Sequence, residues 1–272
     1  MPIDGAFKFC ANMAKFFYML LIVRSRGQGL KIIPVIDVLN GIVVHAVRGK
    51  RKEYQPLKSV LTDSVDPFEV AKAFKTLGFS ELYLADLDAI AGKQPNCQIY
   101  KHVANETGLK LMVDAGITDH KTAKKVLNSQ VSKLIIGTET MPSKKFLEEA
   151  ITLLDANRIV VSLDLIAEKV LIKPGFDGSN DALNLLGDFQ RMGVLEFIVL
   201  DLARVGSGEG VNVDFLKRAI ALLHGGVYVG GGVRDVSDLV ELQNMGVSGS
   251  LVATALHSGK ISINDLKQAQ LI

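Results

Sequence analysis

The chain has 272 residues, 48% of them hydrophobic and 22% charged, with 31 lysines and arginines against 29 aspartates and glutamates. That length and composition give a globular chain with a large core rather than a disordered one. A net charge of +2 supplies no global field for nucleic acid or an anionic membrane. The two cysteines, Cys10 and Cys97, have no metal-ligand spacing and no disulfide pattern, which fits a reducing cytoplasm.

The first 29 residues read as an extension. Phe16 to Val23 is apolar and is followed by Arg24 and Arg26. Eight residues fall short of the roughly 20 that cross a bilayer, and the charge order is wrong for a signal peptide. The segment is expected to be an added helix or the result of a mis-assigned start, with Met19 as the alternative. One domain is expected over 30–272.

From Lys31 onward, short β-branched runs alternate with amphipathic stretches. Strands are predicted at 31–37, 81–86, 109–114, 132–136, 158–164, 197–201, 227–229 and 249–252. Helices are predicted near 67–77, 95–107, 119–127, 143–154, 182–192, 213–223, 237–245 and 263–269. Eight strands alternating with eight helices, most strands apolar throughout, point to an α/β fold: a (β/α)₈ TIM barrel of parallel strands. A doubly wound open sheet is the competing arrangement.

An internal repeat favours the barrel. ELYLADL at 81–87 echoes EFIVLDL at 196–202, VDAGIT at 113–118 echoes VGGGVR at 229–234, and LIIGTET at 134–140 echoes SLVATAL at 250–256. Asp86 and Asp201 are 115 residues apart, while Gly116 and Gly232, like Ile136 and Val252, are 116 apart. So fixed an offset marks half-barrel duplication. Asp37, ending IIPVID, and Asp164, ending IVVSLD, are 127 apart, which requires only a longer first connection.

Barrel chemistry gathers at the C-terminal strand ends, where Asp37, Asp86, Asp114, Asp164 and Asp201 all stand. Five acids in one place repel, so some must be structural. Asp37 and Asp164 are the candidate catalytic pair, one ionised and one protonated; capping of neighbouring loops is the plainer alternative. Gly230-Gly231-Gly232, after the seventh strand, and Ala253-Thr254, after the eighth, offer backbone N–H groups to a phosphate. Their counterparts, Gly116, Gly137 and Thr138, mark a second anion or substrate end. There Asp114 and Glu139 oppose phosphate, so ordinary phosphate binding is expected to be lost in favour of a neutral or cationic group. Arg48, Lys50, Arg51 and Lys52 form a basic flap after the first strand, suited to attracting an anion and closing over it; an ordinary solvated loop is the alternative. His45 is expected to pack. No nucleophile triad and no metal site are apparent.

IIPVIDVLNGIVVHAVRG, DPFEVAKAF, LYLADLDAIAG, VVSLDL, GGGVRD and VATAL together resemble the HisA/HisF family, the phosphoribosyl isomerase and cyclase barrels of histidine biosynthesis. The similarity runs from about Lys31 to Gln270. It implies that Asp37 and Asp164 are catalytic and that Gly206 and Ser207 join Gly231, Gly232, Ala253 and Thr254 around a substrate phosphate. The implied reaction is an Amadori-type aminoaldose–aminoketose isomerisation of a phosphorylated small molecule, with no metal or redox cofactor. The alternatives are a HisF-like cyclase fed by a glutaminase partner and a divergent relative of a coenzyme pathway that binds one phosphate. The chain departs from the family pattern at Asp114-Ala115-Gly116-Ile117-Thr118, at Leu200, at Val205-Gly206-Ser207 and throughout the 49–59 loop.

Overall fold

The computed structural model describes residues 29–166 and 168–272. The expectation for the first 29 residues falls, apart from Gly29, outside the described residues. Eight parallel strands form the barrel: β1 (Lys31–Leu39), β2 (Glu81–Asp86), β3 (Lys110–Asp114), β4 (Val131–Gly137), β5 (Ile159–Ile166), β6 (Glu196–Asp201), β7 (Gly226–Gly230) and β8 (Gly249–Val252). Each pairs with the next, and β8 pairs with β1 from Lys31↔Gly249 to Pro34↔Val252, which closes the ring. Closure rules out the open sheet.

Eight helices follow the strands: α1 (Pro67–Thr76), α2 (Cys97–Thr107), α3 (His120–Leu127), α4 (Lys144–Leu154), α5 (Ala182–Arg191), α6 (Val213–Leu222), α7 (Val236–Asn244) and α8 (Ile263–Gln268). Every one starts at a side-chain cap. Asp66, Asn96, Asp119, Ser143, Asp181, Asn212, Asp235 and Ser262 each accept a first-turn N–H, an interaction worth about 1 kcal/mol apiece. Among the described residues no helix is long and apolar enough to cross a membrane.

Strand alternation splits the core in two. Ile33, Tyr83, Met112, Ile135, Val160, Ile198, Tyr228 and Leu251, one from each strand, fill the barrel interior. Phe74, Leu82, Leu111, Leu134, Phe189 and Phe197 belong to the larger layer between strands and helices. The floor is ionic: Lys31 pairs with Glu81 at 2.7 Å, and Lys133 pairs with Glu196 beneath the Tyr228 hydroxyl, 3.5 Å away.

Two strand ends differ from the sequence reading by two residues, and in the same way. Asp37 and Asp164 do not end their strands; β1 and β5 each run two residues further, to Leu39 and Ile166. Each then turns into an antiparallel partner, Ile42–His45 for β1 and Lys169–Val170 for β5. The first turn is Asn40-Gly41, with φ of 52° and 81°, the left-handed pair that a tight hairpin demands. The repeat therefore includes these hairpins, which lengthen the mouth of the barrel above both aspartates.

Asp86 shows the structural use of a strand-end acid. Fully enclosed, it accepts the N–H groups of Ala89 (3.0 Å) and Asn96 (2.9 Å) and the hydroxyl of Tyr100. Asp86→Ala is expected to destabilise the protein by about 2–4 kcal/mol in urea unfolding, because three buried donors lose their acceptor together. Tyr100→Phe should cost less.

Candidate functional site

A cavity of about 710 Å³ opens at the C-terminal end of the barrel. Asp37 from β1, Asp114 from β3 and Asp164 from β5 line it, with Glu139 after β4 and Tyr54 and Tyr83 alongside. The period-2 pleat explains the convergence: in β1 the residues at 33, 35 and 37 face inward, and in β5 those at 160, 162 and 164 do. Asp164 takes the Ser162 hydroxyl on Oδ1 at 2.9 Å, and Asp114 takes the Gly116 N–H at 3.1 Å. A Cβ on Gly137 would sit 3.4 Å from Asp164 Oδ2 and 3.6 Å from Asp114 Oδ2, which places this strand end in contact range of both carboxylates.

Burial dominates the electrostatics. It pushes the Asp37 carboxyl up to about 7, against the pull of the Arg51 guanidinium. Asp164 rises to about 8, through burial and then the neighbouring charge of Asp114. Asp114 rises to about 6, again through burial, moderated first by the Gly116 N–H. The Tyr83 hydroxyl, enclosed beneath all three, is raised by burial and then by those charges. Such an array can hold one carboxyl protonated beside another that is ionised, the arrangement general acid–base chemistry uses.

The other two strand-end acids are occupied elsewhere. Asp86 is structural, as above, and Asp201 pairs with Arg204 Nε at 3.2 Å.

Opposite the acids, Gly206, Ser207, Gly231, Gly232, Ala253 and Thr254 line the same cavity. A Cβ at Gly231 would lie 2.3 Å from the Asp201 carbonyl oxygen, and one at Gly232 2.2 Å from that of Gly210. Both positions exclude any side chain. The N–H groups of Gly231 and Gly232 meet no acceptor among the described residues, so they are available to a ligand. His45, expected only to pack, places Nε2 3.1 Å from the Thr254 hydroxyl. Arg234 and Lys260 also border the cavity.

Gly116, Gly137 and Thr138 do not line the cavity. Gly116 packs against the backbone of Ala89 and Ile90. Thr138 is wholly enclosed, and its amide donates to the Ser162 carbonyl at 2.9 Å. Of the flap residues, Arg48, Lys50, Arg51 and Lys52 all border the mouth, three of them in ion pairs: Arg48 with Glu209 (2.7 Å), Lys50 with Glu53 (3.4 Å) and Arg51 with Glu139 (2.7 Å). The sequence reading missed Tyr54 and Tyr83 as cavity residues. Alternation from Asp37 and Asp114 could have found Tyr83, since it lies opposite Val35 on the inward face.

A (β/α)₈ barrel with acids and glycine-rich loops around one cavity at the C-terminal strand ends has the layout in which barrel enzymes build their active sites. The profile of the histidine biosynthesis protein family matches residues 31–262, and the chain belongs to that family. An uncharacterized protein of Methanocaldococcus jannaschii is 37% identical over 87% of this chain and 97% of its own length. The 1-(5-phosphoribosyl)-5-((5-phosphoribosylamino)methylideneamino)imidazole-4-carboxamide isomerase of Streptococcus thermophilus is 31% identical over 88% of this chain and 98% of its own. The isomerase of the same name from Nitrosopumilus maritimus is 28% identical over 88% and 99%.

Acids whose folded pKa is raised bind protons more tightly in the native state than in the unfolded chain. Between about pH 4 and pH 8 the unfolded chain has lost those protons while the native site keeps them, so stability falls as pH rises through that window. Asp164→Asn is therefore expected to raise the melting temperature near pH 8, with the gain vanishing below about pH 4. A melting series over that range checks it.

Proposed function

We propose that the chain is a HisA-like isomerase or a close relative, converting an aminoaldose bearing a sugar phosphate into its aminoketose by acid–base catalysis from Asp37 and Asp164. The observation that carries this reading is the placement of both aspartates in one cavity with the glycine cradle. Burial raises both carboxyls toward neutrality, so near-neutral pH lets one keep its proton while the other is ionised; the resemblance to the family assigns the acid to Asp164 and the base to Asp37.

In this mechanism the amides of Gly231 and Gly232 and the loops at Gly206-Ser207 and Ala253-Thr254 anchor the phosphate. Asp164 protonates the furanose ring oxygen; the ring opens as the glycosidic nitrogen forms a protonated Schiff base at C1. Asp37 then removes the C2 proton, and the resulting enaminol takes up a proton at C1 as the C2 hydroxyl becomes a carbonyl. Atoms and charge balance, and no redox step occurs. Tyr83, kept neutral and close to all three aspartates, limits water beneath the reacting carbons.

One observation favours a second reading, a HisF-like cyclase supplied with ammonia by a glutaminase. The barrel floor is closed by paired long side chains, Lys31–Glu81 and Lys133–Glu196, which can swing apart, unlike an aliphatic plug. Stable co-purification with a glutaminase would favour that reading. A third possibility, a divergent relative in a coenzyme pathway that binds one phosphate, rests on the acids at the family's other phosphate loop.

The test is incubation with N-substituted 5-phosphoribosylamines, the histidine-pathway bisphosphate among them, monitored for the ketose product. Asp37→Asn and Asp164→Asn are each expected to lower kcat by about 10²–10⁴-fold; full activity in both variants contradicts the mechanism. The pH dependence of kcat/KM is expected to be bell-shaped, with limbs set by Asp37 and Asp164 near 7 and 8. Asp114→Asn, which removes a neighbouring charge that raises Asp164, should shift the alkaline limb downward.

A further inference from the structure

The cavity has unlike ends. In the first half of the barrel, three amides of the loops that repeat the glycine cradle are taken up internally. Gly116 donates to Asp114 at 3.1 Å, Thr138 to the Ser162 carbonyl at 2.9 Å and Thr140 to that of Gly137 at 3.1 Å. This end also presents the carboxylates of Asp114 and Glu139 to the cavity. A cation already sits among them. Arg51 crosses the mouth from the flap and places its guanidinium 2.7 Å from Glu139 Oε2, and its charge acts on Asp37, Asp114 and Asp164 together.

We propose that Asp114 and Glu139 receive a cationic nitrogen of the substrate, an amine or amidinium, and that Arg51 holds that place in the free protein. The substrate is then a monophosphate with a nitrogen cation at its far end. This inference rests on the phosphate cradle of the proposed function and goes beyond it by naming the other end of the molecule. A second phosphate is disfavoured because both acids would face it with no free amide at Gly116 or Thr138 to offset them. A divalent metal is disfavoured because the described residues bring no three acid, histidine or cysteine ligands into metal-binding geometry. A nitrogen cation needs only charge-assisted hydrogen bonds, which Arg51 already makes there. On exchange, Arg51 is released while Arg48 keeps the flap in place through Glu209 and through its own amide, 2.9 Å from the Val205 carbonyl.

Calorimetry on the full-length protein decides the matter, with inorganic phosphate, ω-aminoalkyl monophosphates of graded length, matched alkyl monophosphates and matched bisphosphates as probes. The best aminoalkyl monophosphate is expected to bind about tenfold or more tighter than its alkyl match, and the bisphosphate no tighter than the alkyl compound. Glu139→Gln and Asp114→Asn should each reduce the amine preference while leaving the affinity for inorganic phosphate within about twofold. Arg51→Met should tighten the aminoalkyl probe several-fold, because the internal competitor is gone; a purely structural role would not produce that gain. Should Asp114→Asn fail to fold, the two partly exposed positions, Glu139 and Arg51, carry the test. Tightest binding of the bisphosphate, weaker amine binding in Arg51→Met, or an amine preference that survives Glu139→Gln overturns the proposal. Phosphate binding without amine preference overturns this inference alone, whereas no binding of phosphate or any monophosphate overturns the cradle itself.

Discussion

Three carboxyl groups at one barrel mouth, Asp114 and Asp164 buried and Asp37 half-buried, are the constraint on which the rest of the site depends. Taking a carboxylate out of solvent is costly, and here Asp37, Asp114 and Asp164 share the cost by holding protons up to near-neutral pH. Their neighbours are fitted to that state. Ser162 donates to Asp164, Gly116 donates to Asp114, and Arg51 supplies the one guanidinium that lowers all three. Gly137 lies within contact range of both Asp114 and Asp164.

The duplication explains why acids and cradle meet. In each half, an aspartate two residues before the end of the strand faces inward and a hairpin rises above it. The halves have diverged at their second and third loops. Gly231 and Gly232 keep amides free beside the cavity, whereas the equivalent loop at Asp114-Ala115-Gly116 uses its amide internally and projects a carboxylate. A symmetric scaffold has thereby become a cavity with unlike ends, one bordered by the unbonded amides of Gly231 and Gly232 and one by carboxylates.

The barrel was legible because parallel strands buried on both faces leave continuous β-branched runs, and because the repeat at a near-constant offset demanded closure around one axis. Asp37 and Asp164 were legible as a pair for the same reason. The strand ends were not: the Asn40-Gly41 turn signalled a hairpin, yet Asp37 reads as a terminus when only the apolar run is followed. Tyr83 escaped notice because an aromatic in a buried strand looks like packing, and only the pleat, counted from a known inward neighbour, aims it at the acids. The Arg51–Glu139 pair joins residues 88 positions apart, a contact no local pattern encodes. Asp86 and Asp201 carried the same strand-end signature as the cavity acids, and only their partners, Asn96 and Tyr100 for one and Arg204 in the following turn for the other, separate them.

Carbon-13 carboxyl NMR of the aspartates, titrated from about pH 3 to pH 9 with Asp37→Asn and Asp164→Asn spectra for assignment, tests the central claim most directly. The account predicts that Asp37, Asp114 and Asp164 titrate between about 6 and 8, with Asp164 moving down when Asp114 is neutralised. Independent titration of all three near 4, as for solvated carboxylates, would contradict it.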